Sequence, residues 1–337
     1  MVAQLEATTS TYPVPTASVS GVSKFKGRTV YYIPLDAHIP GFVVTAAAMK
    51  TALAQAGLNF QECDGQATPS AIASCVSQAT GASAAGIILD SIPYGMAENA
   101  LNGAASKGIP VIIADQYAPA GTANSNQLTY VEGVVNQPTQ IAWWLIADSK
   151  GKANIIIGEE ADSPSSIAYV QNALPILTQY CPGCSVLVKQ ITATESTTQI
   201  QTAVSSNILA DPGVQYYYTE FEDSLQATLS GIQAAGKASS IGLAVAGGST
   251  DSLGLLQNGQ TVKAVVTVDQ AYAGWALTDE ILRMMTKSGP VTETFPSRLF
   301  TAQNIGSIQV TAAAQASGDW FGNDSYQSAF ATLWGVG

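Results

Sequence analysis

Hydrophobic positions along this chain fall into short unbroken runs, separated by longer stretches with a helical period. The runs are "TVYYIP" (29–34), "NFQEC" (59–63), "GIILD" (86–90), "PVIIAD" (110–115), "LTYVE" (128–132) and "ANIIIG" (153–158). They continue with "SVLVKQ" (185–190), "VQYYYTE" (214–220), "SIGLAVA" (240–246), "VKAVVTV" (262–268) and "PSRLFTA" (296–302). Several are apolar without alternation, as parallel strands covered on both faces are. The intervening stretches are alanine-rich at helical spacing, as in "VTAAAMKTALAQAG" (44–57) and "SLQATLSGIQAAGK" (224–237). Gly57 and Gly236 stand where a helix ends on a glycine. Strands alternating with helices predict an α/β fold of doubly wound parallel sheets. The first four strands are predicted to form one sheet, and the strands from 153 to 246 repeat the pattern. Two similar lobes follow, since 337 residues exceed what one compact core usually holds.

Composition narrows what such lobes bind. Charged residues make up 11% of the chain, its net charge is −11, and Lys plus Arg number 13. A nucleic-acid partner needs a cationic footprint, and none is visible. The arginines are Arg28, Arg283 and Arg298. Arginine forks are the usual grip on phosphates and dicarboxylates, so their scarcity favours a neutral or cationic ligand. No apolar run reaches the roughly 18–20 residues that span a bilayer. The opening "MVAQLEATTSTYPVPTASVSGVS" lacks the basic and apolar regions of a signal peptide. Its Ser, Thr, Pro and Val content predicts a flexible leader or stalk over 1–25, left after removal of a targeting segment.

The order of phrases resembles the type I periplasmic solute-binding proteins, in the sugar-binding branch that serves ABC importers. "TVYYIPLDAHIPGFVVTAAAMKTALAQAG" looks like that family's first strand, ligand loop and first helix. "DGQATPSAIASCVSQATGASAAGIILDSI" resembles its helix leading to a strand that ends at the cleft. "ASKGIPVIIADQ" is similar to its fourth strand, ending in an Asp aimed at the sugar. "YYYTEFEDSLQATLSGIQAAGK" looks like the strand and helix that place a polar pair in the second lobe. The likeness runs from about Lys26 to Ala302. It implies lobes joined by three hinge strands, with crossings near 132–135, 267–270 and 298–302. The N-terminal lobe would take 26–133 and 270–299, the C-terminal lobe 134–269 and 300–337. The ligand would lie in the interlobe cleft, beyond the strand C-termini, as the rule for open α/β sheets also requires. Closure around it would signal occupancy to an ABC permease. Repressors with this core begin with a helix-turn-helix, and Pro13, Pro15 and the lack of helical periodicity before Lys26 argue against one.

Strand ends supply the candidate ligand-binding residues. They are Asp36, His38 and Phe42 after the first strand, Ser91 and Tyr94 after the third, and Asp115 and Gln116 after the fourth. Glu132, Glu160, Glu220, Phe221, Glu222, Ser249 and Asp269 follow at later strand ends. Sugars stack apolar faces on aromatic rings and donate hydroxyl hydrogen bonds to carboxylates. The family often has Asp-Arg where this chain has Asp115-Gln116, and Asn-Asp where it has Phe221-Glu222. No arginine lies between Lys152 and Lys189, where the family commonly has one. For His38, the sole histidine, an exposed loop position competes with a ligand role, and helix capping competes for Asp115. A neutral sugar or polyol fits this set. An amine-bearing or aromatic ligand is the alternative, as is a sensor subunit that presents its ligand to a receptor.

Nothing argues for catalysis, a cofactor or a metal. Glu159 and Glu160 are adjacent and point to opposite sides of a strand, not across a glycosidic bond. No nucleophile elbow or dinucleotide fingerprint is present, and no second imidazole joins His38 in a metal site. A monomer working outside the cytoplasm is expected, in the periplasm or as a surface lipoprotein. Cys63, Cys75, Cys181 and Cys184 allow three pairings. In the hinged frame that the resemblance implies, Cys63–Cys75 and Cys181–Cys184 leave the lobes free to move, whereas cross-lobe bonds or a four-cysteine zinc site tie them together. "CPGC" then closes a helix-to-strand turn, the wrong helix end for a reactive thiolate.

Overall fold

The computed structural model describes residues 1–134, 136–192 and 197–336. The chain begins α1 (Val2–Leu5), β1 (Thr29–Pro34), α2 (Pro40–Gln55), β2 (Asn59–Glu62), α3 (Pro69–Gly81), β3 (Gly86–Asp90), α4 (Glu98–Ser106), β4 (Val111–Ala114) and β5 (Leu128–Val131). It continues α5 (Gln137–Asp148), β6 (Asn154–Glu160), α6 (Pro164–Tyr180), β7 (Ser185–Ile191), α7 (Thr197–Ala210), β8 (Tyr216–Thr219) and α8 (Leu225–Ala234). It ends β9 (Gly242–Ala246), α9 (Thr250–Gln257), β10 (Val262–Val268), α10 (Gln270–Thr286), β11 (Ser297–Thr301), α11 (Ala312–Ser317) and α12 (Ser325–Trp334). Each of the eleven apolar runs overlaps one of these strands. No described helix is long and apolar enough to cross a membrane.

Several helices start where the sequence places a proline just past a strand. Pro40, Pro69, Pro138 and Pro164 occupy the first helical turn of α2, α3, α5 and α6. Proline lacks the N–H that such a position leaves unbonded, and its φ suits the helix. Thr68 and Ser163 add side-chain caps to α3 and α6. These starts fix the strand-to-helix loops, the part of an open α/β sheet that carries function.

The chain divides into two compact units. The first comprises 9–134, 269–296 and 316–337, and the second 1–8, 135–268 and 297–315. In the first unit five parallel strands run in the order β2-β1-β3-β4-β5. One sheet face packs Tyr31, Ile33, Ile87, Leu89 and Ile113 against Ile72, Val76 and Leu101 of α3 and α4. On α10, every residue from Ala271 to Met285 is buried. There Gly274 lets α2 approach closely: a Cβ would sit 2.6 Å from that of Ala48. In the second unit the order is β11-β10-β9-β8-β6-β7, parallel except for β11, which pairs antiparallel with β10. Its core joins Ile155, Ile157, Tyr218, Ala244 and Val266 to Trp144 and Leu145 of α5.

Three expectations need correction. First, β5 joins the first sheet, while β10 and β11 extend the second. Second, β11 lies wholly in the second unit, so the chain changes unit between 296 and 297, ahead of the anticipated 298–302. Third, residues 1–25 are packed, not a free stalk. The first helix lies against α5 and β11, and Tyr12, Val19 and Val22 are buried. Tyr12 stacks on Tyr272 and donates its hydroxyl to Asp269 at 3.0 Å, while Arg283 holds the Ala17 carbonyl at 2.7 Å. The C-terminal residues 316–337 likewise belong to the first unit, where Tyr326, Phe330 and Trp334 pack on Tyr272 and Trp275. The terminal segments lack periodicity because they dock through isolated aromatic and apolar residues on distant partners. The chain changes unit between 8 and 9, and again between 315 and 316, in addition to its three internal changes.

The cysteines pair as Cys63–Cys75, joining the end of β2 to α3, and Cys181–Cys184, closing the turn from α6 to β7. Each bond stays within one unit. Replacing Tyr12 with Ala removes a buried ring and a hydroxyl partner of Asp269. Urea unfolding should show a loss of about 2–4 kcal/mol; an unchanged midpoint would mean that the segment is not packed.

Candidate ligand-binding site

In the first unit the strand C-termini gather a connected set of acids. Asp90 closes β3 and Asp115 follows β4, and both are buried. Tyr32 of β1 donates its hydroxyl to Asp90 Oδ2 at 2.6 Å. Asp90 pairs in register with Ala114, so Asp90 and Asp115 stand at adjacent strand ends. The Ser91 N–H donates to the Ala114 carbonyl at 3.1 Å, tying the two strand ends together. Ser91 and Asp115 both have φ of +56°, a left-handed conformation that non-glycine residues rarely adopt. Such strain is characteristic of functional strand ends. At Gly133 a Cβ would strike both the Phe295 ring and the Asp115 carboxyl, so only glycine lets the loop close over them.

The other candidates of this unit are placed differently. Gln116 is buried and its amide folds back onto the Asp115 carbonyl at 2.9 Å. Phe42 is buried on α2. Tyr94 donates to Asn102 of α4 at 2.7 Å. Glu132 is exposed. Asp269 is buried as the N-cap of α10, accepting from the Tyr272 N–H and the Tyr12 hydroxyl. Asp36 and His38 lie on the loop after β1, where the His38 side chain is 87% exposed. There Asp36, His38 and Asp64 bring donor atoms within 4.8 Å of one another, the one such grouping among the described residues. Hydrogen bonds from the His38, Ala37 and Gln66 N–H groups to Asp36 and Asp64 account for that loop.

The second unit repeats the theme. Glu159 and Glu160 end β6 and turn to opposite sides. Glu159 accepts from Gln171 at 2.7 Å and Gln190 at 3.3 Å. Glu160 accepts the Ser224 hydroxyl at 2.7 Å, and its own N–H donates to Glu220 at 2.7 Å. Glu222 and Ser249 come together as a cap: Glu222 accepts from the Ser249 and Ser252 N–H groups at 3.0 Å each, holding the start of α9. Phe221 is half-buried between these acids in sequence. Gln137 of α5 accepts from the Gly247 N–H at 2.7 Å.

Sequence reasoning passed over Asp90, Tyr32, Ser224 and Gln137. Asp90 carried a readable signal, since it ends an apolar run just as Asp115 does. Tyr32 carried none, because a tyrosine inside an apolar strand reads as core.

Burial without cations sets the electrostatics. Burial pushes Asp90 up to about 6, Asp269 to about 7, Glu280 to about 7 and Glu220 to about 9. Asp115 and Glu160 are also raised, chiefly by burial and then by Asp90 and Asp223 respectively. None of the arginines supplies a countercharge at these strand ends. Arg28 donates to the Ser83 carbonyl, Arg283 pairs with Asp279 at 2.6 Å, and Arg298 donates to the Glu6 carbonyl.

Comparison with known proteins agrees with this geometry. The periplasmic binding protein domain family matches residues 30–288. A 5-methylthioribose transporter solute-binding protein from Thermotoga lettingae superposes with a TM-score of 0.74 at 15% identity, covering 94% of this chain and 99% of that one. A Caulobacter myo-inositol binding protein gives 0.71 at 18%, covering 88% and 98%. A sugar ABC transporter protein from Yersinia enterocolitica gives 0.72 at 18%, covering 95% and 98%. No curated protein sequence matches the chain. The chain belongs to the periplasmic binding protein domain family, and the solved structures share its type I fold.

The raised carboxyl groups predict an acid-stable protein. Each folded pKa lies above its unfolded value, so the folded chain holds protons that the unfolded chain releases. The stability is fully present below about pH 4. It is lost as pH rises through about 6 for Asp90, 7 for Asp269 and Glu280, and 9 for Glu220. Calorimetry should show Tm falling by about 5 °C or more between mildly acidic and mildly alkaline buffer; a rise would contradict the assignment.

Proposed function

We propose that the protein is an extracytoplasmic solute-binding protein that captures a small neutral polar ligand, a monosaccharide or polyol, and delivers it to the permease of an ABC importer. The observation that carries this reading is the makeup of the strand ends: hydrogen-bonding carboxyl groups in both units, and arginines all engaged elsewhere. Carboxyl groups match the hydroxyls of a sugar, whereas an anionic ligand would find no arginine there to pair with. The bound ligands named for structural relatives, 5-methylthioribose and myo-inositol, are of this class. The protein acts as a monomer that releases its ligand unchanged. Its disulfides suit an oxidising compartment.

A second reading, an amine-bearing ligand, is favoured by Glu220, whose Oε1 is buried without a hydrogen-bond partner. A thermal-shift screen over neutral sugars, polyols, amines and acidic compounds separates the two. A neutral sugar or polyol should raise Tm by mass action; stabilisation by amines alone selects the second reading, and by phosphorylated or acidic compounds alone overturns both. With the stabilising ligand, Asp115→Ala and Phe42→Ala should each weaken binding about tenfold or more by calorimetry. Unchanged affinity in both folded variants would remove these residues from the site.

A further inference from the structure

We infer that the first unit holds a second binding site, at the N-terminal edge of its sheet, for a small organic anion that carries two or more negative charges on an apolar body. A cavity of about 560 Å³ lies there, on the edge opposite Asp90 and Asp115. The segments that lead into β1, β3, β4 and β5 line it, together with the end of α10. Arg28, Lys107 and Lys287 stand around it, and among the described residues no acid lines it. Three of the chain's 13 basic residues thus meet at one cavity of a protein whose net charge is −11. Ile109, Pro110, Met284 and Met285 give the same cavity a buried apolar lining. Its volume suits a small molecule.

Cations also gather at helix C-termini for the helices' own sake, but here they exceed that need. The helices α3, α4 and α10 end at this edge, and each C-terminus carries about half a negative charge. Together these ends amount to about −1.5, against three full positive charges. The cations are not spent locally either. In the second unit Lys237 and Lys263 donate to the Pro212 and Gly259 carbonyls. Among the described residues Lys107 and Lys287 make no such bond, and none of the three cations has a carboxylate partner. Arg28 gives an N–H to the Ser83 carbonyl at 2.9 Å, which steadies its guanidinium and leaves other N–H groups for a ligand. The matching edge of the second unit has a cavity of about 600 Å³ with a different makeup, where Glu6 and Asp148 join Lys263 in the lining. The positive charge therefore belongs to the first cavity itself and not to sheet edges in general.

This site is independent of any ligand at the strand C-termini, and residue-specific detection keeps the two apart. Trimesate, a benzene ring bearing three carboxylates, is added to the full chain at low ionic strength and followed through backbone amide resonances. The amides of Ala85, Gly108, Asn126 and Lys287 should move, with a Kd below about 1 mM, while those of Ser91 and Gln116 stay in place. Benzoate, with a single charge, and citrate, without an apolar body, should each bind about tenfold or more weakly. Arg28, Lys107 and Lys287 are exposed, so their glutamine variants should keep the wild-type Tm. Arg28→Gln combined with Lys107→Gln should weaken trimesate binding about tenfold or more, and Lys287→Gln alone should weaken it measurably. Added salt should weaken it too, by screening exposed charges. No movement with trimesate, movement at the strand C-termini alone, equally tight benzoate or citrate, or wild-type affinity in the folded variants overturns the inference.

Discussion

A carboxyl group taken out of water must find hydrogen-bond donors, find a cation, or keep its proton. Among the described residues this chain buries nine: Asp90, Asp115, Glu159, Glu160, Glu220, Asp269, Asp279, Glu280 and Glu293. Only Asp279 has a direct arginine partner. Most of the rest draw on tyrosine and serine hydroxyls, glutamine amides and backbone N–H groups, while both oxygens of Glu293 are buried without a hydrogen-bond partner. That constraint explains why polar residues recur at the strand ends and why α10, buried along its length, still tolerates Asp279, Glu280 and Arg283.

The same constraint links fold to ligand class. Parallel strands end on one edge of a sheet, and proline-started helices begin just beyond them, so each loop is short and its side chains stay near the strand end. In the first unit this places Asp115 at the strand end next to the hydrogen-bonded Tyr32–Asp90 pair. In the second it joins Glu160, Glu220 and Ser224. Such groups accept and share protons. They match hydroxyls and offer no cation to phosphates or carboxylates.

Much of this was legible in the sequence, because the signals are local. Unbroken runs such as "GIILD" and "ANIIIG" become β3 and β6, and "CPGC" becomes the turn clip. The polar character of the strand ends was readable too. What escaped is long-range. Tyr12, Val19, Phe330 and Trp334 sit in segments without periodicity and are buried only through partners far along the chain. For the same reason Asp269 and Ser249 looked like ligand residues, whereas the structure engages them as helix caps. An acid at a strand end is ambiguous until the donors around it are known.

The central claim, that the fold holds protons on buried acids in place of cations, is tested most directly by difference titration. Protons bound by the folded chain and by the urea-unfolded chain are compared at neutral pH. The account predicts that the folded chain holds several more, because the raised groups include Glu220, Asp115, Glu160 and Glu293. Equal or fewer protons on the folded chain would contradict it.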